Sequence, residues 1–185
     1  MSNKSKEVVI VNAIRTPIGT YKGSLKNMKS HALGSIVIKE ILSRSKFDKD
    51  EIDEVIMGQV LTTGAGQNPA RQAAINAGIP ISKPAHIINQ VCGSGLRAVI
   101  SGYQSIKLGE AKNIISGGQE NMSIAPHSIF YRDKKKISED KLLDTMINDG
   151  LIDAFNNYHM GVTAENVAKK FHISRQDQDE FALNS

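Results

Sequence analysis

The chain has a single cysteine in 185 residues, Cys92, so it can form no internal disulfide. It also lacks a long apolar run. The first residues, Met1-Ser2-Asn3-Lys4-Ser5-Lys6, are polar and lead straight into a short β-branched segment, with nothing that resembles a signal peptide or a membrane span. A cytoplasmic globular protein without a membrane partner is expected. Neither charge sign dominates: 23 Lys and Arg stand against 19 Asp and Glu, a formal +4. That balance helps attract anionic ligands but is too small to point to nucleic acid, and no nucleic-acid-binding motif is present. The one dense basic run, Lys134-Lys135-Lys136, reads as a solvated loop near which a phosphate-rich ligand could lie. Internal repeats and low-complexity segments are absent. The pair Gly64 and Gly66 lacks the spacing of either the dinucleotide or the P-loop fingerprint. What remains is an α/β domain of ordinary size, long enough to form a core without staples.

The pattern of what is present is β-α-β, repeated. Glu7 to Ala13 is β-branched and ends at Arg15-Thr16-Pro17, so it reads as a buried first strand. Ser30 can cap a helix running to about Arg44, with Leu33, Ile36, Val37 and Ile41 on one face. A second strand is expected over Glu54 to Leu61. Asn68-Pro69 then marks a capped helix start, and that helix ends at Gly78. Ala85 to Asn89 is a short strand, Ser94 to Leu108 a helix, and Asn113 to Gly118 a strand parallel to the one before it. From Gln119 the pattern breaks into a polar excursion, with Leu142, Leu143, Met146 and Ile147 at helical spacing. Thr163 opens a further helix, and Ser174 with Asp177 forms a capping box for the last one, Arg175 to Asn184. The division is therefore residues 1–118 as core, 119–162 as an inserted loop region and 163–185 as a return to the core.

Cys92 lies where a strand turns into a helix, in Asn89-Gln90-Val91-Cys92-Gly93-Ser94-Gly95. The unpaired N–H groups and positive dipole end of that helix favour a thiolate, and the two glycines leave room for a bulky thioester. Placement alone leaves two readings open, a nucleophile and a buried, inert cysteine. The helix that follows has two packing sides. Leu96, Val99, Ile100, Tyr103 and Ile106 form a large apolar stripe, and Gly95, Ala98, Ser101 and Gly102 form a small one, so burial between two layers is expected.

Several stretches together resemble the thiolases, most of all the biosynthetic acetyl-CoA acetyltransferases. They are Val11-Asn12-Ala13-Ile14-Arg15-Thr16-Pro17-Ile18-Gly19, Gly58-Gln59-Val60, Asn68-Pro69-Ala70-Arg71-Gln72, the Cys92 stretch with Leu96-Arg97-Ala98-Val99, Ser123-Ile124-Ala125-Pro126-His127 and Tyr158-His159-Met160-Gly161. One departure is Gln119-Glu120-Asn121, where the family more often has Met-Glu-Ser. The resemblance implies the N-terminal half of a thiolase-like α/β fold plus its loop region. It also implies that Cys92 takes an acyl group from acyl-CoA into a thioester and passes it to the α-carbon of a second acetyl-CoA, or runs that reaction backwards. Leu151, His159 and Met160 match positions that line the pantetheine and acyl groups. Acyl-CoA is implied as substrate, with no metal and no separate cofactor. A homotetramer through the loop region is the family's assembly, which a half-length subunit can fail to make.

The family is about twice this length, and its Asn-Glu-Ala-Phe, Gly-His-Pro and Cys-x-Gly-Gly-Gly motifs have no counterpart in these residues. The resemblance gives the acid and base roles to that histidine and second cysteine, so little or no turnover is expected. The chain stops in a helix without C-cap chemistry. Two rivals stand beside the acyltransferase reading: a catalytically silent remnant that at most binds or slowly accepts acyl groups, and a papain-like hydrolase, whose partner histidine and amide are not found. His31, His86, His127 and His172 match no catalytic motif and read as structural.

Overall fold

Glu54–Gly58 sends alternate side chains to opposite faces of a strand, β1, and every residue from Val55 to Gly58 is buried. Burial on both faces calls for cover on both sides. In the computed structural model, which describes residues 7–132 and 142–185, β1 is the centre of a three-stranded parallel sheet. It lies between β2 (Ala85–Ile88) and β3 (Ile114–Gly118), with Val55 opposite both Ala85 and Ile115. The strands on either side of Cys92 are therefore parallel, as the sequence implies, but β1 separates them. Asp53 fixes the amino end of the sheet: its carboxylate accepts from the Lys112 N–H at 2.7 Å and the Asn113 N–H at 3.1 Å. These bonds hold the Asp53 carboxyl below its ordinary pKa.

Two different kinds of packing cover the two faces. Val55, Met57 and Ile115 join Ile38 of α1 (Ser30–Ser45) and Ala70, Ala73 and Ala74 of α2 (Pro69–Ala77) in the main core. Fully burying a side chain such as Ile38 or Met57 is worth about 2 kcal/mol. On the other face, α3 (Ser94–Leu108) sits on β1 and β3 through its small residues, with Ser94, Ala98 and Gly102 buried. The approach is close enough to exclude side chains. A Cβ on Gly102 would meet Ser116 Oγ at 2.6 Å, and one on Gly58 would meet the Ser94 carbonyl carbon at 2.3 Å. The large stripe of α3 is bare: Leu96 is 69% and Tyr103 49% exposed. Only one of the two expected layers on this helix is present among the described residues.

Other expectations change for local reasons. Residues 7–13 form no strand, because no described edge pairs with them, and Val9, Ile10 and Val11 are exposed. Ser30 is the first helical residue of α1 rather than its cap; Lys29 occupies the cap position with no side-chain bond. The buried face of α1 is Ser30, Gly34, Ser35 and Ile38, and Ile36 points to solvent, since small residues let α1 approach α2. β1 ends at Gly58, three residues early, because Gln59 turns its amide inward to Leu61 O. Asn68 caps α2 as expected, accepting from the Arg71 N–H at 3.1 Å, and Gly78 ends it.

In the excursion, β4 (His127–Ser128) pairs antiparallel with β5 (Leu143–Asp144), so Leu143 is in a strand rather than a helix. Asp144 then caps α4 (Thr145–Gly150), accepting from Met146 and Ile147 N–H. The basic run Lys134-Lys135-Lys136 lies outside the described residues. The next helix, α5 (Met160–Phe171), starts three residues before Thr163, because His159 caps it by accepting the Gly161 N–H on Nδ1 at 2.9 Å. It spans the 162/163 limit drawn from the sequence. α6 (Arg175–Asn184) carries the expected box, with Ser174 and Asp177 each bonding the other's N–H. Among the described residues no helix is long and apolar enough to cross a membrane.

The close approach at Gly58 predicts an asymmetry that urea denaturation can read. Gly58→Ala should cost about 2 kcal/mol or more, since backbone must move to admit the methyl group. Leu96→Ala on the bare stripe should cost less than about 0.5 kcal/mol. Equal losses in the two variants would contradict this packing.

Candidate active site

The turn that carries Cys92 is strained and then pinned. Val91, a β-branched residue, sits at φ 48°, in the left-handed region. Such a conformation costs about 1–3 kcal/mol and persists only where neighbours fix it. Ser94 does much of the fixing: its hydroxyl donates to Val91 O at 2.5 Å and accepts from the Gln90 N–H at 2.8 Å. The Ser94 N–H also donates to Val91 O at 3.0 Å, and the Val91 N–H donates to Asn89 Oδ1 at 3.0 Å. Cys92 is left exposed, two residues ahead of the first residue of α3. The buried-cysteine reading fails on that exposure.

Cys92 opens on a mostly apolar cleft of about 380 Å³. Its walls are the carboxyl ends of β1 and β3, the Cys92 turn, Met122 and Leu151. Ligand clefts in parallel α/β sheets form at this end of the strands. The floor is polar and ordered. Gln119 donates its amide to Gln59 Oε1 at 2.9 Å, and Gln59 donates to Leu61 O at 2.8 Å. Both side chains are buried, and Gln119 Oε1 has no partner among the described residues.

Glu120 is the ionisable group of this floor. Its Oε2 accepts from the Val60 N–H at 2.8 Å and the Leu61 N–H at 3.1 Å. Burial raises the Glu120 carboxyl above its ordinary pKa, and the N–H bonds, from Val60 first, offset part of that rise. Sequence reasoning passed over this residue. Its signal is an acidic residue just beyond Gly117-Gly118, at the carboxyl end of a parallel strand.

The structure brings together only some of the residues that the sequence singles out. Leu151 lines the cleft with Cys92. His159 and Met160 are not among the lining residues, although the Met160 N–H donates to Leu151 O at 2.8 Å and Ile152 bridges to His159. His159 is exposed, with Nδ1 committed to its cap. The other histidines lie away from the lining. His86 Nδ1 is 2.8 Å from Glu54 Oε1, His127 is near Asp144, and His172 ends α5 at φ 54°. His31 keeps a buried Nδ1 with no partner among the described residues, and burial, then Lys29, lowers its pKa.

Fold and cleft thus define an α/β domain with an exposed thiol at a strand-to-helix turn, facing a mostly apolar cleft. Residues 8–185 match the family model described as thiolase, N-terminal domain. The chain belongs to the thiolase family. It is 54% identical to an acetyl-CoA acetyltransferase of Paracoccus denitrificans over 97% of this chain and 46% of that protein. It is 54% identical to one of Rhizobium meliloti (strain 1021) over 100% of this chain and 47% of that protein. A cytosolic acetyl-CoA acetyltransferase of Rattus norvegicus is 51% identical over the same shares of the two chains. The chain spans about half the length of these curated relatives.

Because its folded-state pKa is raised, the Glu120 carboxyl adds stability fully below its unfolded value, and that stability is lost as pH rises through the folded value. Glu120→Gln has no titrating group there. Wild type should therefore gain stability relative to this variant as pH falls from neutral into the acid range, read as the difference in urea midpoints. A constant difference, or one of opposite slope, would contradict the buried carboxyl.

Proposed function

We propose that this chain carries the acyl-accepting part of an acetyl-CoA C-acetyltransferase, with Cys92 as the acceptor. The observation that supports the reading most is the exposed Cys92 thiol on an apolar cleft, in a turn whose backbone is pinned. Chemically, the Cys92 thiolate attacks the carbonyl carbon of acetyl-CoA. A carbon–sulfur bond forms, the tetrahedral intermediate collapses, and CoA leaves as a thiolate that takes up a proton. The family resemblance gives the oxyanion to the N–H of Cys92 itself, at the positive end of α3. In the second step the α-carbon of another acetyl-CoA, having lost a proton to a base, attacks the thioester and releases Cys92. The reverse sequence is thiolysis.

Leu151 fits an acyl-contacting role because it shares the cleft with Cys92. The same proposal has His159 and Met160 line the pantetheine and acyl groups, and the bond from the Met160 N–H to Leu151 O supports a place near the cleft. The division into a core of residues 1–118, a loop region of 119–162 and a return segment of 163–185 belongs to the same proposal. So do a cytoplasmic location and the family's homotetrameric assembly, which a half-length subunit can fail to make.

A second reading is a chain that accepts an acyl group without turning over. Two observations favour it: no histidine lines the cleft among the described residues, and the sequence contains no second thiol. Incubation with acetyl-CoA followed by intact-mass measurement and peptide mapping separates the readings. The expected result is one acetyl group on Cys92, absent in Cys92→Ser, with little or no steady release of acetoacetyl-CoA. Steady release would favour full turnover. No adduct on wild type, or one that survives Cys92→Ser, would overturn the acyl-acceptor reading.

A further inference from the structure

We propose that Glu120 is a positioning residue for the Cys92 turn, acting through Val60 and Asn89. This deepens the proposed role of Cys92 as acyl acceptor and rests on it. Beyond Gly58 and Gly118 the β1–β3 ladder makes one more main-chain bond, from the Gln119 N–H to Gly58 O at 3.0 Å. After that β1 turns away, and two consecutive N–H groups, those of Val60 and Leu61, meet no strand carbonyl among the described residues. The Glu120 carboxylate substitutes for one, with a single oxygen accepting both. Val60 is thereby fixed on the side of the cleft that faces the Cys92 turn.

From Val60 a relay runs to that turn. The Val60 carbonyl accepts from Asn89 Nδ2, a long bond of 3.4 Å, and Asn89 Oδ1 accepts from the Val91 N–H at 3.0 Å. Val91 holds the strained φ and is bonded to Cys92. The Asn89 amide thus presents one end to the segment that Glu120 fixes and the other to the residue before the thiol. Ser94 pins the turn from the helix side, and the relay pins it from the sheet side. Without the relay, Val91 can relax toward ordinary backbone geometry and take Cys92 away from the α3 N-terminus.

The test uses the rate of Cys92 alkylation by iodoacetamide on the chain, a readout that needs no acyl chemistry, together with hydrogen exchange at the Val60, Leu61 and Val91 amides. Glu120→Ala should slow alkylation about fivefold, the equivalent of one hydrogen bond, and deprotect all three amides. Asn89→Ala should slow it similarly and deprotect Val91 while leaving Val60 and Leu61 protected. The double variant should be no slower than the slower single one, since both substitutions break one path. Glu120→Gln, whose carbonyl oxygen can accept both N–H groups, should restore the rate to within about twofold of wild type. Wild-type alkylation in a folded Glu120→Ala chain would overturn the proposal, as would effects that multiply in the double variant. If Glu120→Ala does not fold, Asn89→Ala decides alone, because Asn89 is exposed: an unchanged rate overturns the relay. Failure of acetyl-CoA to label Cys92, with alkylation behaving as expected, would count against the acyl-acceptor reading and not against the relay.

Discussion

The structure depends on one close approach, the seating of the first turn of α3 on the ends of β1 and β3. Gly58 is the residue that permits it, since any side chain there would occupy the space of the Ser94 carbonyl. Gly95 and Gly118 meet across the same contact, with a Cβ on Gly118 reaching 3.4 Å from Gly95 Cα. Because the helix starts so low on the sheet, the chain must rise sharply from the end of β2 into α3. That rise is the turn of Gln90 to Gly93, in which Val91 takes a left-handed conformation. The exposure of Cys92 at the carboxyl end of the sheet follows from this contact.

A second consequence concerns hydrogen bonds. Where strands separate at a ligand cleft, main-chain groups lose their ladder partners, and each must find another or meet water. Here the side chains after β1 and β3 take over. Gln59 and Gln119 bond one another beneath the cleft, and Glu120 gathers the N–H groups of Val60 and Leu61. The floor is therefore both polar and fixed, while the walls that meet a ligand are largely apolar. The acyl group of the proposed function suits such a site, with apolar walls for its hydrocarbon part and the thiol beside its carbonyl carbon.

Much of this was legible in the residues. Asn68-Pro69 with Gly78, and Ser174 with Asp177, marked helix ends because capping is a local chemistry written over a few positions. The two-sided pattern of α3 points to burial between two layers, of which the described residues supply only the sheet against its small side. Pairing was less legible. The run Val8 to Val11 is as β-branched as a buried strand, yet periodicity reports a residue's affinity for a sheet and not whether an edge lies beside it. The start of α5 was missed because histidine is an uncommon cap. Glu120 was missed for a different reason: its partners Val60 and Leu61 lie 60 and 59 residues away in sequence, and no local pattern announces a contact of that range.

Cys92 faces the cleft at the carboxyl ends of β1 and β3, beside Leu151. Because the chain has one cysteine, a nitroxide spin label attached to Cys92 needs no engineered site, and amide NMR of the labelled chain reports what lies around it. The strongest broadening is expected at Gly58 to Leu61, Gly118 to Glu120 and Leu151, with Ile52, Asp53 and Lys112 at the amino end of the sheet retaining their signals. Broadening that spares Leu151 and the strand ends, or that falls mainly on the amino end of the sheet, would contradict it.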